Sequence, residues 1–159
     1  MGFSVSASAA IVFISFLIAV GTLYTAWDNT YSEVQAAREF WYSLKLSQLN
    51  FKIGDVSVSP STNNSNVDLT FKFLGQTIPG RVDILHNGVY VDFTDLNYLI
   101  PGNDYTVTIP GGADTSGSSN QVVLAFDNGC TLLVTYHYDT ANGVYVVDSA
   151  STQCPVEVS

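Results

Sequence analysis

The chain has 159 residues, and with roughly 50 of them set aside for an N-terminal leader and its helical continuation the remainder suits one domain with one core. Its formal net charge is -9, and all five bases (Arg38, Lys45, Lys52, Lys72 and Arg81) precede Val82, after which nine acids meet no Lys or Arg. Such a surface repels phosphate backbones and anionic head groups, which argues against nucleic acid as a partner and in favour of cationic surroundings.

The first 27 residues carry no charged side chain and hold a nearly unbroken apolar run from Ala7 to Ala26. About 20 helical residues cover the hydrocarbon core of a bilayer, so this run predicts a membrane-spanning helix over residues 1–27. A cleaved secretory signal is not expected, because no basic residue opens the segment and the run is too long for such a signal. Ser8, Ser15 and Thr22 fall seven apart with Ala19 close to the same face, a stripe of small residues that suits helix packing in a membrane. Tyr24 and Trp27 are placed as interfacial anchors at the end of the span.

From Tyr31 to Leu46 there is neither Gly nor Pro, and Val34, Ala37, Trp41 and Leu44 recur at helical spacing. Residues 28–50 are therefore expected to continue the helix as a spacer, almost to Leu49. Arg38 and Lys45 lie beyond the span and by themselves favour a cytoplasmic C-terminal side. Glu33 and Glu39 interleave with them, and a pair of cysteines downstream argues for the opposite, exterior orientation.

From residue 51 onward the period changes to two. Val67-Asp-Leu-Thr-Phe-Lys-Phe73 alternates apolar and polar residues, the pattern of a strand with one buried face. Asn87-Gly88, Asn128-Gly129 and Asn142-Gly143 each lie between strand-like runs and predict tight hairpin turns. With Asp55 to Val58 and Tyr105 to Ile109 included, about eight short strands fill residues 51–159, which predicts an all-β sandwich in preference to a barrel. Residues 59–66 and 110–120 are polar and rich in turn formers, and read as exposed loops. The first contains Asn63-Asn64-Ser65, a glycosylation sequon at Asn63 that suits an exterior domain.

Cys130 and Cys154 are the only cysteines, and together with the membrane tether they suggest one disulfide, free thiols being the alternative. Candidate chemistry is sparse: His86 beside a turn and His137 between two tyrosines lack the partners of a base or a metal site. No catalytic residue, cofactor or metal is assigned, and a non-enzymatic protein is expected. Six tyrosines in the β-region (Tyr90, Tyr98, Tyr105, Tyr136, Tyr138 and Tyr145) would make a binding face only if the fold gathered them.

The opening Met1-Gly-Phe-Ser-Val-Ser-Ala-Ser-Ala-Ala-Ile-Val-Phe-Ile14, Gly21-Thr-Leu-Tyr24 and the helix through Glu33, Ala36 and Arg38 resemble the archaellum accessory F protein family. The β-region continues the resemblance in Val82-Asp-Ile-Leu85, Asn87-Gly-Val-Tyr-Val91 and Leu99-Ile-Pro-Gly-Asn-Asp-Tyr-Thr-Val107. The resemblance implies an archaeal membrane protein with a pilin-like N-terminal helix and an immunoglobulin-like sandwich beneath the S-layer. It further implies binding to the S-layer protein in a stator-type role in motility, work beside an archaellum accessory G-type protein within the archaellum machinery, and self-association through the helix or the sandwich. The alternative is a structural filament subunit of the archaellin or type IV pilin class. The two cysteines do not map onto the family pattern.

Overall fold

A computed structural model describes the backbone of residues 2–63 and 65–155, with side chains from residue 7. Met1, Asn64 and residues 156–159, which belong to the predicted span, the sequon and the end of the predicted β-domain, lie outside the described residues. The chain divides into two compact units, Met1–Ser43 and Leu44–Ser159. The first is helical, part of α1 (Gly2–Leu49), which contains a segment apolar and long enough to cross a membrane. Among its described residues, Phe13, Phe16, Ile18 and Leu23 are all more than 60% exposed.

The second unit holds the last turn of α1 and eight strands: β1 (Ile53–Pro60), β2 (Val67–Phe73), β3 (Ile78–His86), β4 (Val89–Leu99), β5 (Asp104–Ile109), β6 (Asn120–Phe126), β7 (Thr131–Asp139) and β8 (Val144–Gln153). They form two antiparallel sheets, β1-β2-β5 and β4-β3-β6-β7-β8. The sheets face each other, with β1 against β8 and β4 against β5 along the open sides. This is the all-β sandwich behind an N-terminal helix that the sequence pattern predicts.

The period of two explains the layering. Val67, Leu69, Phe71 and Phe73 on β2 are fully buried while the residues between them are half-exposed. They meet Val82 and Ile84 of β3, Val122 and Leu124 of β6, and Leu132, Val134 and Tyr136 of β7 in one apolar core. Each fully buried side chain of this size contributes about 1.5–3 kcal/mol from removal of apolar surface from water.

Phe51 closes the core where the last turn of α1 meets the sandwich, with its ring 4.9 Å from that of Phe126 and 5.9 Å from that of Phe73. The turn itself is capped by side chains. Gln48 Nε2 donates to the carbonyl of Asn128 at 2.8 Å, and Asn128 Nδ2 reaches back to the carbonyl of Ser47 at 3.5 Å. A helix C-terminus has carbonyls without intrahelical partners, and the β6–β7 turn supplies a donor to one of them. Cys130 and Cys154 are disulfide-bonded at this same end, joining the start of β7 to the residue after β8.

The crossing from the larger sheet to the smaller runs through Pro101-Gly102 between β4 and β5. Tyr105 fastens it: its hydroxyl accepts from the Ile100 amide at 2.7 Å and donates to the Tyr98 carbonyl at 3.0 Å. Tyrosine hydroxyls that bind backbone a few residues upstream hold comparable corners in immunoglobulin-type sandwiches.

Candidate partner-binding end of the sandwich

The end of the sandwich opposite Phe51 is built from four connections: the β1–β2 connection, described at residues 61–63 and 65–66, the Asn87-Gly88 turn, residues 110–119, and the turn at 140–143. Sequence composition alone makes the two longer ones polar and exposed, but the structure ties them together. The Ala113 amide donates to the Ser65 carbonyl at 3.3 Å, and the Gly111 amide donates to Asn66 Oδ1 at 3.3 Å. Gly111 and residues 115–119 are exposed, as composition predicts, while Gly112 and Asn120 are buried.

Tyr136 is the cause. Its ring lies in the core, fully buried, and its hydroxyl donates to the Gly112 carbonyl at 2.9 Å. Burial, reinforced by the nearby Tyr145 and Asp114, pushes its pKa up to about 12. A Cβ on residue 112 would lie 2.8 Å from both the Tyr136 hydroxyl and Val67 Cγ2, so only glycine lets the loop settle onto the core here.

The shorter turns are fixed by side-chain oxygens and amides. Asn87 adopts φ 50° and Gly88 φ 82°, the left-handed pair of a type I′ turn, and Asn87 Oδ1 accepts from the Gln121 amide at 2.9 Å. Asp139 caps the β7–β8 turn, accepting from the amides of Ala141 at 2.9 Å and Asn142 at 3.3 Å. The Asn142 side chain and these amides hold the Asp139 carboxyl below the usual carboxylate range. Asp114 is lowered in the same way by the hydroxyl and amide of Ser116.

Between these connections lies a cavity of about 250 Å³. It is walled by Tyr138 and Tyr145, by Pro60 and Asn66, and by Ala113 and Thr115. Tyr138 and Tyr145 are opposite one another across the β7–β8 ladder, their rings 5.1 Å apart and inclined at 64°. Burial pushes the Tyr145 pKa up, with the charges of Tyr138 and Asp114 adding to the effect.

The six tyrosines therefore do not form one face. Tyr136 belongs to the core and Tyr105 to the sheet crossing, while Tyr90 and Tyr98 are exposed on the edge strand β4. Only Tyr138 and Tyr145 meet in a concave site. The spacing of both residues about Asn142-Gly143 contained that signal, since a hairpin closing there sets them in register. What the spacing did not contain was the contribution of residues 60–66 and 113–115 from across the sandwich.

The other predicted site residues lie elsewhere. Asn63 is exposed in the β1–β2 connection, its carbonyl accepting from the Asn66 amide at 2.9 Å. On α1, Ser15 Oγ donates to the Ile11 carbonyl and Thr22 Oγ1 to the Ala19 carbonyl, both at 2.9 Å, so these hydroxyls are satisfied within the helix. Ser8 lines a shallow hollow with Val12 and Phe16. His137 Nδ1 is 2.8 Å from Asp148 Oδ1, and His86 Nε2 is buried without a hydrogen-bond partner.

A family model described as archaeal-type flagellin matches residues 2–151. A curated protein of Methanocaldococcus jannaschii, described as "Putative flagella-related protein F", is 27% identical over 116 residues, which cover 69% of this chain and 84% of that one. No solved structure gives a significant match.

Proposed function

We propose, from the premise that this chain belongs to the archaeal-type flagellin family and resembles its accessory F proteins, that it is a non-enzymatic membrane anchor of the archaellum machinery. In this reading α1 crosses the cell membrane once, the sandwich stands outside beneath the S-layer, and its loop end binds the S-layer protein in a stator-type role. An archaellum accessory G-type protein is a second partner, and the exposed edge of β4, with Val89, Tyr90 and Phe93 each more than half exposed, is the surface offered for self-association. The observation that carries the reading is the union in one chain of an uncovered apolar helix with a sandwich whose loop end is ordered by its own hydrogen bonds. An anchor bearing load needs both a hold in the membrane and a surface that does not deform when gripped.

The test is cosedimentation of the full-length chain, reconstituted in liposomes, with S-layer sheets isolated from the source cells. Binding is expected, together with its loss on substitution within residues 61–66 or 113–118 at an unchanged melting temperature. Liposomes that stay in the supernatant would overturn the assignment of the partner.

A filament subunit is the second reading, and the length and exposed aromatics of the helix are compatible with it. At 1.5 Å per residue α1 is roughly 70 Å long against a hydrocarbon core of about 30 Å. Phe40, Trp41 and Tyr42 are each at least 59% exposed on the part beyond the span. Lateral packing in a helical filament core would cover them, as would a partner helix in the anchor.

A further inference from the structure

The cavity at the loop end has a chemistry that the anchor reading does not specify. Its volume of about 250 Å³ is below the range of pockets that hold whole drug-sized ligands and suits a single long side chain. Two of its walls are the faces or edges of Tyr138 and Tyr145, and Gly143 beside them leaves the Tyr138 hydroxyl 3.5 Å from where a Cβ would stand. The β5–β6 loop contributes Ala113 and Thr115 to the wall, with Asp114 between them in the chain and its carboxylate accepting from the Ser116 amide at 2.8 Å.

Among the described residues, no charged side chain lines the cavity, and the acids Asp114 and Asp139 stand next to its wall residues in the chain. Asp114 and Asp139 stay ionised to low pH because neighbouring amides and hydroxyls bind their carboxylates. No Lys or Arg follows Arg81 in the sequence, and the one histidine on β7, His137, is paired with Asp148. Asp114 also adds to the rise of the Tyr145 pKa, after burial and Tyr138. Aromatic rings in an acidic region without basic residues attract a cation and repel an anion.

We propose that this cavity receives one basic side chain, an arginine guanidinium or lysine ammonium, from a protein partner. Tyr138 and Tyr145 supply the aromatic surface for the cation and its methylene stem, and Asp114 supplies the countercharge. The inference rests on the reading of this end as the partner-facing one, but the cavity binds its probe whether or not that partner is the S-layer protein.

The experiment titrates full-length protein in detergent micelles with N-acetyl-arginine amide, N-acetyl-lysine amide, the neutral isostere N-acetyl-citrulline amide, and methyl glucoside, followed by backbone amide NMR. Arginine amide is expected to shift Ala113, Thr115 and Gly143 saturably, about ten-fold more tightly than citrulline amide, with weakening as salt is raised. Asp114→Asn and Tyr145→Leu should each abolish most of that preference while Asp92→Asn, on the distant edge strand, leaves it intact. Asp114 is half-buried and outside the core, so its variant tests the charge even if Tyr145→Leu weakens the fold. Equal affinity for citrulline amide, tighter binding of methyl glucoside, an unaffected Asp114→Asn variant, or no saturable shift at these residues would each overturn the proposal. Probe binding without S-layer cosedimentation would keep the cavity and discard the partner; the reverse result would keep the partner and discard the cavity.

Discussion

Replacing Tyr136 by Phe separates the two things that its hydroxyl does. In the wild-type chain the ring is fully buried and the hydroxyl donates to the Gly112 carbonyl at 2.9 Å. The substitution keeps the ring and leaves that buried carbonyl without its donor, which costs about 1–3 kcal/mol. The hydroxyl also sets an alkaline limit to stability. Its pKa is near 12 in the folded chain against 10.0 for an unperturbed tyrosine, because burial disfavours the tyrosinate. Folding therefore holds the proton more tightly than the unfolded chain does. The contribution is fully present below pH 10 and is lost as the pH rises toward 12, amounting to about 2 kcal/mol over that window. Urea unfolding of the full-length protein in micelles, followed by the methyl signals of Val82, Val122 and Val134, measures both terms. Wild type should lose stability between pH 9.5 and 11.5, and Tyr136→Phe should start lower at pH 8 and fall less over the same interval. Equal stability at pH 8, or an unchanged alkaline slope in the variant, would refute the assigned role of the hydroxyl.

Four further outcomes follow from the same geometry. Asp in place of Val82 or Ile84, both fully buried, should cost more than about 4 kcal/mol and abolish the folded methyl spectrum, whereas substitution of exposed Ser118 should leave it intact. Reduction of the Cys130–Cys154 bond, which closes a separation of 24 residues, should lower stability by about 3 kcal/mol in urea titrations with and without reductant. Gly112→Ala should destabilise the sandwich and accelerate hydrogen exchange of residues 113–118, since its Cβ collides with Tyr136 and Val67. Asp139, whose folded pKa is lowered, contributes stability above pH 3.8 that is lost as the pH falls toward its folded value; Asp139→Asn should flatten the acid limb of a pH–stability curve.

Much of the fold was legible because burial in a sandwich has a period of two, and Val67 to Phe73 writes it without interruption. The Asn-Gly pairs marked the hairpin connections because the left-handed backbone of Gly88, Gly129 and Gly143 is a local demand, though only Asn87-Gly88 is a two-residue turn. The outer strands were less legible. β8 runs on through Asp148-Ser-Ala-Ser-Thr-Gln153, a polar stretch at the edge of its sheet whose pairing with β7 leaves no apolar alternation to read. β4 runs to Leu99 through two register shifts and the left-handed Asn97, which break its alternation. The loop end was legible in part, since residues 115–119 are exposed as their composition implies. Residues 110–120 look open by composition, and only the reach of Tyr136 from another strand turns Gly112 inward. Contacts at long sequence separation of this kind have no local signature, which is why the cavity beside Tyr138 and Tyr145 had to be seen in three dimensions.

The central claim, a membrane anchor of the archaellum machinery, is tested most directly by locating the chain in the cell. Filaments sheared from source cells are separated from envelopes, and the protein is quantified in both fractions by mass spectrometry. The account predicts that it stays with the envelope at a small fraction of the abundance of the major filament subunit. Recovery in the sheared filaments in amounts comparable to that subunit would contradict the anchor and establish the filament reading in its place.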